Sequence, residues 1–191
     1  RQDDLVAMTI VSDNYKAGVL CAKEMMRQKK QANIVLLTHQ AAKSAVDRIN
    51  GFLDTIKGNK NYKILASADT QGQIERSLPK VDKIIEEYSN IDVVMALNDP
   101  AAMGALAALD SKDARKGVLV YGIDGAPEGK KLIKEGMMTG TAAQSPKQMA
   151  DTAINAAYQI FDGKKVPKKK VISVYMITKK NIEQTDISRW Q

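Results

Sequence analysis

The chain is poor in the residues that most often carry chemistry: among its 191 residues are one cysteine, one histidine, one tryptophan and two phenylalanines. Each shortage excludes something. A single cysteine, Cys21, cannot form an internal disulfide, and its place between Ala17 and Ala22 in a helical pattern marks it as a small core residue. The lone His39 has no cysteine or histidine at ligand spacing, so no metal site is expected. No apolar run reaches 18 residues, the minimum for a membrane-spanning helix. There is no Gly-x-Ser-x-Gly and no glycine-rich phosphate loop, and Gly122-Ile123-Asp124-Gly125 is too short for a dinucleotide fingerprint. No cofactor is expected. Asp69 and Asp124 form a conceivable carboxylate pair, but no raised pKa or dry pocket supports it, so the chain reads as a binder and not an enzyme.

What is present is an ordinary globular composition, 44% hydrophobic and 27% charged, enough for one core, or for one domain plus part of another. Aromatics are only 5%, while nine methionines and many alanines suggest helices packed through Ala and Met. The net charge of +7 is dispersed apart from one run, Lys164-Lys165-Val166-Pro167-Lys168-Lys169-Lys170. With no aromatic interleaved, that run reads as a solvated turn, and no nucleic-acid partner is expected. The chain opens on Arg1-Gln2-Asp3-Asp4, with neither Met nor signal peptide, and runs straight into a strand-like stretch. A sequence that begins partway through a fold would look like this.

Hydrophobic periodicity predicts buried strands over residues 5–11, 33–38, 62–67, 91–97, 118–121, up to 144, and 171–178. Between them lie helical patterns over 15–29, 45–57, 74–88, 101–109, 127–135 and 146–161. Pro79 is expected to kink its helix or delay its start, Pro100 and Pro146 sit in first helical turns, and the tail 179–191 reads as loosely held. Strands and helices alternating in this way predict an α/β fold: a doubly wound, mostly parallel sheet.

In such a sheet ligands bind beyond the carboxyl ends of the strands. The residues there are Asp13/Asn14, the loop 39–44, the loop 69–73, Asn98/Asp99, Asp124 and Gln144, with Arg48 one turn into a following helix. Carboxylates accept from vicinal hydroxyls, amides donate and accept, and arginine donates a fork, so the set suits a ligand rich in hydroxyls. Asp13, Asn14, Asn98 and Asp99 also read as plain helix caps. Asp124 and Gln144 are less easily explained that way, because Gly125 and Ser145 already provide turn and cap chemistry.

Five ordered motifs carry a family resemblance across nearly the whole chain: Ser12-Asp13-Asn14-x-x-x-Gly18, Asp47-Arg48-Ile49-Asn50-Gly51-Phe52, Asn98-Asp99-x-x-Ala102-Met103-Gly104-Ala105, Gly122-Ile123-Asp124-Gly125, and Ala143-Gln144-Ser145-Pro146. A helix ending in Gly163 and a closing strand followed by Asn181 complete the pattern. Together they resemble the second lobe of ribose-type periplasmic binding proteins (type I, close to the LacI-type effector domains). The resemblance implies that Arg48, Asn98, Asp124 and Gln144 hydrogen-bond a small sugar or polyol-like solute. It implies four segments: 1–11 as the trailing strand of a first lobe, 12–143 as the second, sugar-binding lobe, 144–166 as a hinge crossing and first-lobe helix, and 167–191 as return strand and tail.

The same resemblance implies a role as substrate-binding component of an ABC transporter, with the permease as partner, or as an extracytoplasmic sensor, placed in the periplasm or outside the cell on a lipoprotein anchor. The effector-binding domain of a LacI-type transcription regulator shares the fold and stands as the alternative. A hydrolase or isomerase on the same sheet is a third reading, disfavoured by the missing acid–base pair. Two departures from the family stand out. The first lobe is absent apart from its trailing end, and the loop Asp69-Thr70-Gln71-Gly72-Gln73 lacks the aromatic that often stacks on a sugar ring. The second departure implies a more polar solute or another polyol. Without the first lobe, the apolar face of the helix 146–161 (Met149, Ala153, Ala156, Ile160) loses its partner, and the chain is expected either to self-associate through that helix or to pack it differently.

Overall fold

A computed structural model describes residues 5–190. Residues 1–4, where the sequence reading has the chain begin partway through a fold, and Gln191 lie outside the described residues. Eight strands and six helices follow in order: β1 (Thr9–Ser12), α1 (Asn14–Gln28), β2 (Ala32–Thr38), α2 (Lys43–Ile56), β3 (Tyr62–Asp69), α3 (Ile74–Glu87), β4 (Val93–Ala96) and α4 (Asp99–Ser111). Then come β5 (Leu119–Asp124), α5 (Pro127–Glu135), β6 (Gly140–Ala143), α6 (Pro146–Phe161), β7 (Lys169–Ile172), β8 (Tyr175–Thr178) and a 3-10 turn (Ile182–Gln184).

Six strands form one sheet in the order β3-β2-β4-β5-β6-β8. All neighbours are parallel except β8, which runs antiparallel to β6 at the edge. From β2 the chain moves outward to β3, then crosses back over β2 to β4 and continues to β6. Right-handed crossovers therefore put α2 on one face and α3, α4 and α5 on the other. The reversal between β2 and β4 is the switch point at which doubly wound sheets bind ligands. Val93, Val94, Met95 and Ala96 of β4 are all buried, as expected for a strand covered on both faces.

The expected fold class holds, with corrections in detail. The strand read at 5–11 starts only at Thr9, and the one at 171–178 is two strands that belong to different sheets. β1 pairs with β7 in a separate two-stranded parallel ribbon, on which α6 packs. The strand read at 118–121 runs further than expected: β5 continues through Asp124. Gly122 is there for close approach, since a Cβ on it would lie 2.3 Å from Asp99 Oδ1. Pro79 sits inside α3 without delaying its start at Ile74. The lysine run is part turn and part strand, because β7 begins at Lys169.

The tail is not loose. Lys130 of α5 is fully buried, and its ammonium donates to the carbonyl oxygens of Asp186 (2.6 Å) and Arg189 (2.5 Å), while Ile182 fills the core beside it. The open face of α6 also differs from expectation. Ala153 and Ile160 are exposed as expected, but Ala156 is buried and Met149 half-buried, where its sulfur accepts from the Ser12 hydroxyl, and Ile154, Tyr158 and Phe161 add a more exposed stripe. No helix among the described residues is long and apolar enough to cross a membrane.

Candidate functional site

The site begins with how closely α1 and α2 approach. A Cβ on Gly18 would lie 1.8 Å from the Arg48 carbonyl oxygen, and one on Gly51 2.0 Å from that of Tyr15. The two helices therefore touch backbone to backbone, which only glycine permits at both points. That contact sets Asn14, the first residue of α1, beside Arg48 of α2.

Arg48 is buried, and its guanidinium bonds through Nε and Nη1 across the switch point. Nε donates to Asn14 Oδ1 at 2.9 Å. Nη1 donates to the Leu97 carbonyl at 2.9 Å and to Asp124 Oδ1 at 3.1 Å. The same Asp124 oxygen accepts from Gln144 Nε2 at 2.7 Å. One carboxylate thus gathers an arginine from α2 and an amide from beyond β6, at the carboxyl ends of β4, β5 and β6. Burial pushes the Asp124 carboxyl above its ordinary value, and Arg48 and Gln144 hold it back. Asp124 also has φ 147°, a backbone conformation L residues rarely adopt.

Of the four residues singled out from the sequence, Arg48, Asp124 and Gln144 are bonded together. Asn98 is not in that cluster. Its Oδ1 caps α4 by accepting from the Ala101 N–H (3.0 Å), and its Nδ2 donates to the Gly72 carbonyl (3.0 Å), tethering the loop after β3. It follows directly on Leu97, whose carbonyl Arg48 holds, so its side chain borders the same edge. Two further residues belong here. Asn14 was legible as a strand-end residue and as a helix cap, and its oxygen orients Arg48. Asp99 was legible as a helix start, yet it is fully buried behind Asp124. Its Oδ1 accepts from the Thr141 hydroxyl at 2.7 Å and its Oδ2 from the Ala126 N–H at 2.8 Å. Burial first, and the neighbouring Asp124 charge second, push its carboxyl up to about 7.

Asp69 plays a different part. It accepts from the backbone N–H groups of Gln40 (3.2 Å) and Gln71 (3.0 Å), stapling the loops after β2 and β3, and these bonds hold its carboxyl below the usual range. Asp69 ends β3 and Asp124 ends β5, three strand spacings apart in the sheet order, or roughly 14 Å. That separation removes the idea of a carboxylate pair sharing one proton. Cys21 is a core residue as expected, fully buried with its thiol on the Gly122 carbonyl (3.5 Å).

A recess of about 490 Å³ opens beside the cluster, lined by Ser12, Asp13, Asn14, Tyr15, Lys43 and Asp47 among others. A larger one of about 780 Å³ lies at the other end of the sheet, next to Val118 and Thr139, which precede β5 and β6. Its two arginines, Arg27 and Arg115, are paired with Glu24 and Asp110.

The sequence matches the family described as periplasmic binding protein domain over residues 2–165. It is 31% identical over 176 residues to the ribose import binding protein of Haemophilus influenzae, covering 91% of this chain and 59% of that protein. It is 27% identical over 148 residues to the D-allose-binding periplasmic protein of Escherichia coli, covering 76% and 48%. The fold is similar to an ABC transporter periplasmic solute binding protein from Actinobacillus succinogenes crystallised with bound D-allose: TM-score 0.88, 27% identity, covering 91% of this chain and 63% of that one. The chain therefore spans about half to two thirds of the length of the proteins it matches. With the family matched over most of its residues and the sheet order to go with it, this chain belongs to the type I periplasmic binding proteins.

Proposed function

We propose that this chain is the second lobe of a two-lobed protein that binds a small sugar or polyol-like solute, with Arg48, Asn98, Asp124 and Gln144 turned to the solute. The observation that carries the reading is the Arg48–Asp124–Gln144 cluster at the switch point of the sheet. A carboxylate accepts through about four lone-pair positions, so Asp124 keeps acceptor capacity for solute hydroxyls beyond the two bonds on its Oδ1. Arg48 opposes the burial that raises the Asp124 carboxyl, and Asn14 and Leu97 keep Arg48 from turning away. The sugars in the names of the relatives, ribose and allose, fit that chemistry. The loop 69–73 offers no aromatic platform, which favours a more polar solute or another polyol over a simple pyranose.

In this reading segment 12–143 is the solute-contacting lobe, 144–166 is the hinge crossing and a helix of the first lobe, 1–11 is that lobe's trailing strand, and 167–191 is the return strand and tail, of which β8 rejoins the six-stranded sheet. The whole protein serves an ABC transporter permease, or an extracytoplasmic sensor, from the periplasm or the outer surface on a lipid anchor. No catalytic step is assigned to it. The chain on its own presents half of a clamp and associates with a second copy through α6.

The test is calorimetric titration of the natural full-length protein with pentoses, hexoses and cyclic polyols, with Asp124→Ala as control. At about 1.5–3 kcal/mol per charged hydrogen bond, the substitution weakens binding at least tenfold. No binding of any sugar at millimolar concentration, or equal binding by Asp124→Ala, removes the reading.

A further inference from the structure

The sequence Asn98-Asp99-Pro100 looks like one helix cap, but the structure divides the work. Asn98 does the capping, accepting from the Ala101 N–H, so α4 does not need the Asp99 carboxylate. That carboxylate is turned inward with no exposed surface, where an ion is costly unless its hydrogen bonds repay the loss of water. Its bonds all go to one place. Oδ2 accepts directly from the Ala126 N–H (2.8 Å). Oδ1 accepts from the Thr141 hydroxyl (2.7 Å), whose oxygen accepts in turn from the Gly125 N–H (3.1 Å). The two amides that follow Asp124 are therefore both held by Asp99, one directly and one through Thr141.

Space for the carboxylate is made by two glycines: a Cβ on Gly122 would lie 2.3 Å from Oδ1, and one on Gly129 2.7 Å from Oδ2. The turn it grips does not hold itself: Gly125 takes its φ of 71° freely, but Asp124 has φ 147°, which an L side chain rarely adopts. Such backbone persists only where the surroundings over-determine it. We propose that Asp99 is a positioning residue for the binding site: by holding the Gly125 and Ala126 amides it fixes the strained turn that aims the Asp124 carboxylate at Arg48 and the solute. The solute part of this statement rests on the proposed sugar-binding function, whereas the positioning part does not.

The charged and titratable groups around Asp99 are Asp124 from β5, Cys21 from α1 and Lys130 from α5, with Arg48 reaching Asp124 from α2. Thr141 from β6 is uncharged. Burial and the Asp124 charge raise the Asp99 carboxyl to about 7, so its protonation falls in the neutral range and the two carboxyls titrate as a pair.

The experiment is backbone amide NMR on the 191-residue chain, which needs no ligand. In the wild type the Gly125 and Ala126 amides are protected from exchange and shift with a midpoint near pH 7. Asp99→Asn keeps the shape but loses the charge. We expect these two amides to exchange at least tenfold faster in it, relative to Val94 and Met95 of β4, and to lose the midpoint near pH 7, keeping only what Asp124 contributes. Thr141→Val should release Gly125 alone and Thr141→Ser should restore it, a pair that decides the matter even if Asp99→Asn fails to fold. Unchanged protection and titration in Asp99→Asn, or faster exchange spread evenly over the sheet, overturns the positioning role. So does equal behaviour of the two Thr141 variants. Titration of the full-length protein with D-ribose, D-allose and myo-inositol is the separate arm. If none binds while the amide results hold, the sugar reading fails and the positioning role stands.

Discussion

Gln144 bonds Asp124 twice, through its backbone N–H to the Asp124 carbonyl (3.0 Å) and through its side-chain amide to the Asp124 carboxylate (2.7 Å). The first bond carries the β5–β6 ladder one residue past its last pair, Asp124 with Ala143. The second places the amide on the oxygen that also receives Arg48. The end of one strand is thereby locked to the charge at the end of the next.

Removing that charge affects stability as well as binding. Asp124→Ala leaves the guanidinium of Arg48 buried without its counter-ion, a loss of about 3–5 kcal/mol. Gln144→Ala removes one hydrogen bond to a charged group, about 1.5–3 kcal/mol. Arg48→Ala combined with Asp124→Ala should cost less than the sum of the two single changes, because neither charge is then left alone. Urea unfolding of the four variants checks this. Strict additivity would mean that the pair is not coupled.

The parts of the fold that local chemistry specifies were readable from the sequence. α5 and α6 begin and end where expected, because Pro127 and Pro146 open them and Gly136, with φ 78°, closes the first. β5 was cut short because Gly122 reads as a turn residue, whereas its lack of a side chain makes room for Asp99, 23 positions earlier in the sequence. Arg48, Asp124 and Gln144 could be named from the resemblance, but the bond between Arg48 and Asp124 spans 76 positions and no local pattern encodes it. Asp99 was named among the strand-end residues, but its buried role was missed for a related reason. A carboxylate beside a helix start looks like a cap until the sheet shows which way it points.

The buried carboxylates give the chain an unusual pH dependence. The Asp99 carboxyl is raised to about 7 and Asp124 is raised as well, whereas an unfolded aspartate titrates near 3.9. Between about pH 4 and 7 the native state therefore holds protons that the unfolded chain has released, and stability falls as pH rises through this window. The slope for one fully linked proton is at most about 1.4 kcal/mol per pH unit. Carboxylates held low, such as Asp69 and Asp186, act in the opposite sense and only at more acidic pH. Thermal melts from pH 5 to 8 should show a falling Tm that Asp99→Asn flattens. A Tm that rises over this range would contradict the assignment.

The contact between α1 and α2 reverses the usual effect of replacing a glycine. Within a helix Gly→Ala normally stabilises by about 1 kcal/mol. At Gly18 the new methyl would lie 1.8 Å from a backbone oxygen of α2, so the helices must separate. Overpacking of this kind costs about 1–3 kcal/mol, and more when the obstacle is backbone. Gly18→Ala and Gly51→Ala should both lower the urea midpoint. Both should also weaken any solute binding, because Arg48 moves with α2. A raised midpoint in either variant would show that the helices are not in contact.

The exposed face of α6 determines how the isolated chain behaves. Tyr158 is 66% exposed and Phe161 85% exposed, and with Ile154 they form a stripe at helical spacing on a helix whose other side rests on β1. The matched relatives are considerably longer than this chain. An exposed apolar stripe of this kind favours self-association. Sedimentation of the 191-residue chain should show concentration-dependent self-association. Tyr158→Glu combined with Phe161→Glu should abolish it without lowering Tm, since neither side chain is part of the core. A wild-type chain that stays monomeric at high concentration would argue against α6 as a self-association surface.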